Sequence, residues 1–193
     1  MAAPMSMILL ETGMAGAIGT GIVFVGAGLG KLRHRELVPG VVANYRILPG
    51  VLVAPVAALL PPVELGLGAG LIASVLVPGM AGTVLRLLAL PAAALLAIFA
   101  AAMAINIVRG RSHIDCGCGR SQLRQPLHWG MVVRNLLLAA LVAVHAVPPA
   151  AGESPAIAEI ALALAAGTCL FLITVLFNAL AALATSPLAR GRS

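Results

Sequence analysis

The sequence predicts an all-α membrane protein, a polytopic bundle of about five transmembrane helices in which four helices form the core and one is added. Hydrophobic residues make up 61% of the 193 residues and charged residues only 9%, and the mean hydropathy is +1.09. A water-soluble domain of this size needs far more charge on its surface. The apolar residues also form runs long enough to cross a hydrocarbon core of roughly 30 Å.

Five apolar runs define the predicted spans, and we expect them to form a single integral membrane domain over residues 1–193. The spans cover about 7–30, 51–77, 83–108, 129–147 and 156–185. Met1 to Glu11 contains no Lys or Arg. A cleaved signal peptide begins with a basic region, so the first run is predicted to be a retained helix.

The basic residues predict the orientation. With five spans, the first loop, the loop at 109–128 and the tail lie on the same side of the membrane. Together with Arg134 at the start of the fourth span, they hold every Lys and Arg except Arg86. Since Lys and Arg collect in cytoplasmic loops, we expect a multi-pass membrane protein with this side in the cytoplasm. Its N-terminus would be outside, and its C-terminus and the 109–128 loop in the cytoplasm.

Glu64 is a carboxylate inside the second predicted span. Pro61 and Pro62 precede it and are expected to kink or break the helix, because proline removes a backbone donor and clashes with the preceding turn. A charged carboxylate at membrane depth is costly unless it is paired. Glu64 is therefore predicted to be protonated, paired or functional. The open alternatives are a structural hydrogen bond and a role in proton handling or in facing a quinone.

Charged and reactive side chains are concentrated in the loop that begins Arg109-Gly-Arg-Ser-His-Ile-Asp-Cys-Gly-Cys-Gly-Arg120. Cys116 and Cys118 can cycle between dithiol and disulfide, bind a soft metal, or remain inert. Neighbouring cations favour the reactive thiolate, and a disulfide across one residue closes a strained ring that is easily reduced. Redox exchange is the favoured interpretation, with His113 and Asp115 as candidates for proton handling.

A metal site is the weaker interpretation of this loop. His113, Cys116, Cys118 and His128 are four side chains of types that bind metals. Their spacing differs from the C-x2-C pairs that are typical of structural zinc sites, so no metal is expected. Cys169 stands alone within the fifth span and is expected to behave as a small apolar residue.

Several motifs together resemble a known family. They are Gly26-Ala-Gly-Leu-Gly-Lys-Leu32, Leu60-Pro-Pro-Val-Glu-Leu-Gly66, Asn106, Arg109-Gly-Arg111 and Ile114-Asp-Cys-Gly-Cys-Gly119. Over about residues 21–141 the chain resembles the methylamine-utilisation family MauE, part of a wider MauE/DoxX group of small redox-associated membrane proteins. The glycine-lysine and proline-glutamate motifs are shared loosely by the wider group, whereas the cysteine loop is the more specific part.

The resemblance implies a location in the bacterial inner membrane and an accessory role in the maturation of methylamine dehydrogenase. The small (beta) subunit of that exported enzyme contains several disulfides and a tryptophan-derived quinone cofactor, and the resemblance implies a thioredoxin-like partner in its processing. On this basis Cys116 and Cys118 are the transfer pair, in disulfide formation or a thiol relay. A membrane quinone is the candidate electron acceptor, and any enzymatic activity is that of a thiol–disulfide oxidoreductase.

Two other function classes remain open from the residues alone. One is a small-molecule transporter or channel subunit that uses Glu64 at a helix broken by Pro61 and Pro62. The other is a passive assembly scaffold. Disulfide formation in an exported enzyme takes place on the periplasmic side, whereas the charge distribution predicts that the loop at 109–128 is cytoplasmic. Three explanations of this difference remain open. Either the loop reaches a quinone near the bilayer, or electrons cross the membrane through other groups, or the loop faces the periplasm.

Overall fold

A computed structural model describes residues 2–77, 79–114, 126–147 and 155–184 of the chain. These ranges contain α-helices and no β-strand, which confirms the predicted all-α class. The helices are α1 (Ala2–Arg33), α2 (Val38–Asn44), α3 (Gly50–Leu76), α4 (Met80–Arg86), α5 (Ala89–Val108), α6 (Trp129–Val144) and α7 (Ile157–Ala184).

Within the described ranges, four helical stretches are long and apolar enough to cross a membrane, so this is a multi-pass membrane protein. They are Met7–Arg33, Gly50–Leu76, Gly82–Val108 and Ile157–Ala181. The third stretch combines α4 and α5, which are separated only by a turn at Leu87 and Leu88. α6 is a shorter apolar helix of 16 residues, which rises about 24 Å. The assignment of residues 1–193 to one domain stays a prediction.

α1 is the central helix of the bundle. It lies against α3, α6 and α7, and α5 lies against α6 on the other side. The side chains that fill the core are fully apolar and come from several helices. They include Met14, Ile18, Phe24, Leu71, Leu96, Leu138 and Val142. Because lipid is as apolar as these side chains, close packing has to hold the helices together.

Glycines provide that close packing between α1 and α3. A Cβ atom added to Gly68 would lie 2.7 Å from the carbonyl oxygen of Gly21, and one added to Gly21 would lie 2.9 Å from the carbonyl oxygen of Gly68. Gly28 stands equally close to the backbone at Pro61. The two antiparallel backbones therefore touch along their length, and no larger residue fits at these positions.

Two details of local structure differ from the predictions. The connection between the predicted spans 7–30 and 51–77 was expected to be a loop over Lys31 to Arg46, but α1 continues to Arg33 and the short helix α2 follows. Pro61 and Pro62 were expected to kink or break the second span, and no break occurs, because α3 is one continuous helix with Pro55 also inside it. Membrane helices tolerate proline where neighbouring helices satisfy the freed backbone groups.

The bundle has two chemically different ends. The cysteine-loop end, as we name it, is the end where α5 finishes and α6 begins. It also contains the C-terminus of α1, helix α2 and the C-terminus of α7. Among the described residues, every Lys and Arg except Arg86 lies there. Arg86 is at the opposite end, where its Nη1 donates to the carbonyl oxygen of Val147 at 3.0 Å. Which end faces the cytoplasm stays a prediction from the positive-inside rule.

The glycine contact generates a test of the packing. Gly68→Ala should force α1 and α3 apart and destabilise the protein by about 1–3 kcal/mol, because overpacking shifts the backbone. Gly66→Ala is the matched control, since no atom lies within 4 Å of its added Cβ on the same helix. Thermal unfolding in detergent micelles measures both. Equal stability of the two variants would contradict the close-packed contact.

Candidate functional site

The cysteine pair itself lies outside the described residues. Asp115, Cys116 and Cys118 all fall in the stretch 115–125, so their proposed roles stay predictions. His113 is described and is exposed to solvent. The residues on both sides of that stretch are described, and they show how the segment is attached to the bundle.

Arg111 ties the start of the cysteine loop to the connection between α2 and α3. Its Nη2 donates to the carbonyl oxygen of Asn44 at 2.8 Å, and its Nη1 donates to the side-chain oxygen of Asn106 at 3.1 Å. Arg109 adds a longer contact, 3.4 Å, to the carbonyl oxygen of Arg46. Arg111 thus joins segments more than 60 residues apart in the sequence through a planar group with several fixed donors,.

Local backbone geometry makes this clamp possible. Gly110 has a φ of 73°, a left-handed conformation that glycine adopts without strain, and it turns the chain directly after α5,. Arg46 has a φ of 49° and turns the chain after α2. Asn106 is fully buried, and its Nδ2 donates to the carbonyl oxygen of Ala102, which holds its side-chain oxygen towards Arg111.

The two ends of the cysteine segment are joined to each other. The backbone N–H of Leu127 donates to the carbonyl oxygen of Ser112 at 2.8 Å. Ile114 and Leu127 are both buried in an apolar cluster with Met103 and Met131. The chain therefore leaves and re-enters the bundle at adjacent points. We refer to this arrangement of Arg111, Ser112, Ile114 and Leu127 as the clamped stem.

Glu64 is buried and forms an ion pair with Lys31. Nζ of Lys31 donates to both carboxylate oxygens at 2.8 Å. Glu64 is 1% exposed and the Lys31 side chain 13% exposed. Of the predicted alternatives, the paired carboxylate matches the geometry. Since α3 is also unbroken here, the broken-helix site of the transporter alternative is not present. Lys31 was missed as a partner because α1 was expected to end at Gly30.

A second polar group at the cysteine-loop end was not recognised from the sequence. His128 precedes α6, and its ring lies 5.7 Å from the ring of Phe177 on α7. Arg134 hydrogen-bonds to Asn178 and, at 3.4 Å, to Asn135. Burial, and then the positive charge of Arg134, lower the pKa of His128. Both effects favour the neutral form of the ring. We name these five residues the α6–α7 polar cluster.

The opposite end of the bundle holds a separate polar contact. The hydroxyl of Ser74 donates to the carbonyl oxygen of Leu71 at 2.6 Å and lies 2.8 Å from Nε2 of His145. With its hydrogen committed to Leu71, the hydroxyl accepts from His145. This contact ties α3 to the end of α6 and lies far from the cysteine loop.

Within the described ranges no group of three or more His, Cys, Asp and Glu side chains could hold a metal ion. Two of the four residues weighed as ligands, Cys116 and Cys118, lie outside those ranges. The expectation that the loop binds no metal therefore stays a prediction. Cys169 is described, is free and is exposed on α7.

The helices and the clamped stem define a class: a small multi-pass membrane protein that anchors a cysteine-bearing loop at one end of a helical bundle. Residues 8–148 match the family described as Methylamine utilisation protein MauE. The chain therefore belongs to the MauE family, and the resemblance found in its motifs is confirmed.

Three curated proteins named Methylamine utilization protein MauE illustrate the similarity. The Paracoccus denitrificans protein is 45% identical over 153 residues, which cover 79% of this chain and 77% of the relative. The Paracoccus versutus protein is 39% identical over 151 residues, covering 78% and 77%. The Methylorubrum extorquens protein is 40% identical over 135 residues, covering 68% of each. No solved structure matches the chain.

The ion pair between Lys31 and Glu64 can be tested by removing one or both charges. Lys31→Met leaves a buried carboxylate without its cation and should destabilise the protein by about 3 kcal/mol. The double variant Lys31→Met/Glu64→Leu should recover part of that loss, because no lone charge remains buried. Thermal unfolding of the two variants and the parent measures the difference. A double variant less stable than Lys31→Met would contradict a simple buried pair.

Proposed function

We propose that this chain is a membrane thiol–disulfide redox accessory in methylamine utilisation, with Cys116 and Cys118 as the exchanging pair. Its substrate would be an exported enzyme undergoing maturation, namely the small subunit of methylamine dehydrogenase. A thioredoxin-like protein would act as partner. The curated relatives are named for methylamine utilisation, which supports the pathway. The main structural support for a role of the cysteine segment in disulfide exchange is the clamped stem.

The clamped stem suits a site that exchanges disulfides with another protein. Such a site has to present two sulfur atoms to a large partner without drifting from the membrane surface. Arg111 and Ile114 hold one side of the segment, and Leu127 holds the other. Because the hydrogen bond between Ser112 and Leu127 already joins the two ends, contact with a partner does not have to supply the entropy cost of bringing them together,.

The proposed thiol–disulfide exchange needs only the substrate dithiol and the Cys116–Cys118 disulfide. A thiolate of the substrate attacks one sulfur of the Cys116–Cys118 disulfide, which breaks the S–S bond and forms a mixed disulfide. The second substrate thiolate attacks the substrate sulfur of that mixed disulfide and releases the dithiol. Two electrons and two protons pass from the substrate to the cysteine pair. His113, exposed beside the segment, and Asp115 are the candidates for handling those protons.

Neighbouring charge supports thiolate chemistry at this place. Arg109 and Arg111 lie directly before the segment, and each has its guanidinium held by backbone oxygens. Fixed cations near a thiol favour the thiolate, which is the attacking species in exchange. The buried pair of Glu64 and Lys31 carries no net charge and leaves that local positive field in place.

Serine substitution tests this function. Cys116→Ser/Cys118→Ser should abolish growth on methylamine as sole energy source and prevent accumulation of active methylamine dehydrogenase, because no disulfide can form in the loop. The membrane level of the variant, measured by immunoblot, should equal that of the parent. Cys169→Ser is the matched control and should grow normally, since Cys169 lies exposed on α7. Full growth of the double variant would show that the thiols are not needed.

A further inference from the structure

Three buried nitrogen atoms in the α6–α7 polar cluster have no hydrogen-bond partner. They are Nε2 of His128, Nε of Arg134 and Nδ2 of Asn135. Asn135 is only 3% exposed. A buried donor without an acceptor is costly, on the order of 1–3 kcal/mol, and such groups are rare in folded proteins. Nε of Arg134 and Nδ2 of Asn135 are donors, and Nε2 of His128 donates in one of the two neutral tautomers. Donors left open together therefore point to a ligand that brings acceptors.

The three unpartnered nitrogen atoms lie in the same region of the structure. Arg134 and Asn135 hydrogen-bond to each other, and the charge of Arg134 acts on His128. His128 is the N-cap of α6 and Asn135 lies in its second turn, so the two residues differ in height along the helix axis by about 10 Å,. The ring of Phe177 closes the site from α7. The ligand would thus meet donors at two heights and an aromatic ring beside them.

We propose that the α6–α7 polar cluster binds the headgroup of a prenylquinone, and that this quinone is the oxidant for Cys116 and Cys118. A para-quinone carries two carbonyl oxygens at opposite ends of a flat ring. It accepts hydrogen bonds at both ends and stacks against an aromatic side chain. It is also uncharged, which suits a site that is partly buried at the edge of an apolar bundle.

A cavity between α1, α6 and α7 offers a place for the prenyl tail. It has a volume of about 330 Å³ and is lined mainly by apolar side chains from the three helices. The lining residues on α6 and α7 are Leu141, Leu162, Ala163, Ala166 and Leu170. This cavity lies between the same helices as the polar cluster, further towards the opposite end. In this proposal the prenyl tail of a quinone bound at the cluster runs towards that cavity.

The location also suits electron transfer, an argument that rests on the function proposed above. His128 directly follows Leu127, whose N–H closes the clamped stem. The headgroup would therefore sit beside the point where the cysteine segment re-enters the bundle. In the balanced step the two thiols form a disulfide, and their two electrons and two protons convert the quinone to a quinol. The regenerated disulfide then oxidises the next substrate.

The protein carries its own reporter for binding. Trp129 is the only tryptophan in the chain, begins α6 and is 54% exposed between His128 and Gly130. Quinones quench tryptophan fluorescence at short range. Titrating ubiquinone-1 into the full-length protein in phosphatidylcholine nanodiscs should give saturable quenching. Asn135→Leu should weaken binding about tenfold, because one hydrogen bond in a buried site is lost.

Further variants distinguish binding at the α6–α7 polar cluster from unspecific quenching. Arg134→Lys keeps the charge but removes the Nε donor and should also weaken binding. Ser74→Ala, which changes the polar contact at the opposite end, should leave the dissociation constant unchanged. Quenching that rises linearly and equally in all variants would overturn the proposal. It would also be overturned if phosphatidylglycerol in the nanodisc abolished the saturable phase, since the site would then hold an anionic lipid.

The failure of this proposal can be told apart from failure of the redox function. Cys116→Ser/Cys118→Ser should bind ubiquinone-1 as tightly as the parent, because the thiols are not part of the headgroup site. If this variant binds the quinone but still supports growth on methylamine, the redox function is wrong and the quinone site stands. If binding is absent while the cysteines are essential for growth, the quinone site is wrong and another oxidant serves the pair.

Discussion

Polar groups inside an apolar bundle have to find partners within the protein, and this constraint organises the molecule. Lipid offers no hydrogen bonds, so each buried charge or amide is stable only where another part of the chain meets it. Glu64 is met by Lys31, and Arg111 is met by Asn106 and the backbone after α2. The Lys31–Glu64 pair joins α1 to α3, and the bond from Arg111 to Asn44 joins the end of α5 to α2, so these two contacts fix the relative positions of the helices.

The close contact of α1 with α3 makes such pairing possible. Gly21 and Gly68 let the two backbones touch, which brings the C-terminal turn of α1 alongside the middle of α3. The side chain of Lys31 can then reach the carboxylate of Glu64. In the absence of a hydrophobic driving force between helices in lipid, small residues and polar pairs share the task of association. Packing and electrostatics are therefore coupled in this bundle.

The cysteine-loop end carries most of the chemistry, whereas the opposite end has a structural role. At the opposite end, Ser74 hydrogen-bonds to Nε2 of His145 and Arg86 binds a backbone oxygen, while Nδ1 of His145 is buried without a partner. At the cysteine-loop end, the clamped stem fixes the loop while the α6–α7 polar cluster keeps donors unpaired. Unpaired donors are tolerated in natural proteins mainly where function needs them.

Much of the fold follows from the sequence, because the length of an apolar run is a local property. The spans near Gly50–Leu76 and Gly82–Val108 could be predicted for that reason. The partners of Arg111 and Glu64 could not, since they depend on how distant helices meet. A break, one of the two effects expected of Pro61 and Pro62, is absent for a related reason. Whether a proline breaks a membrane helix depends on neighbouring helices that a sequence pattern does not reveal.

The most direct test of the account is the redox state of Cys116 and Cys118 in intact cells. In a Cys169→Ser background, thiols are labelled with a membrane-impermeant maleimide before and after reduction, with and without permeabilisation of the membrane. The account predicts that labelling rises after reduction, which reveals a disulfide, and that cells depleted of quinone label without reduction. Labelling that is complete without reduction in every condition would contradict a thiol–disulfide cycle. The dependence on permeabilisation reports which side of the membrane the loop faces.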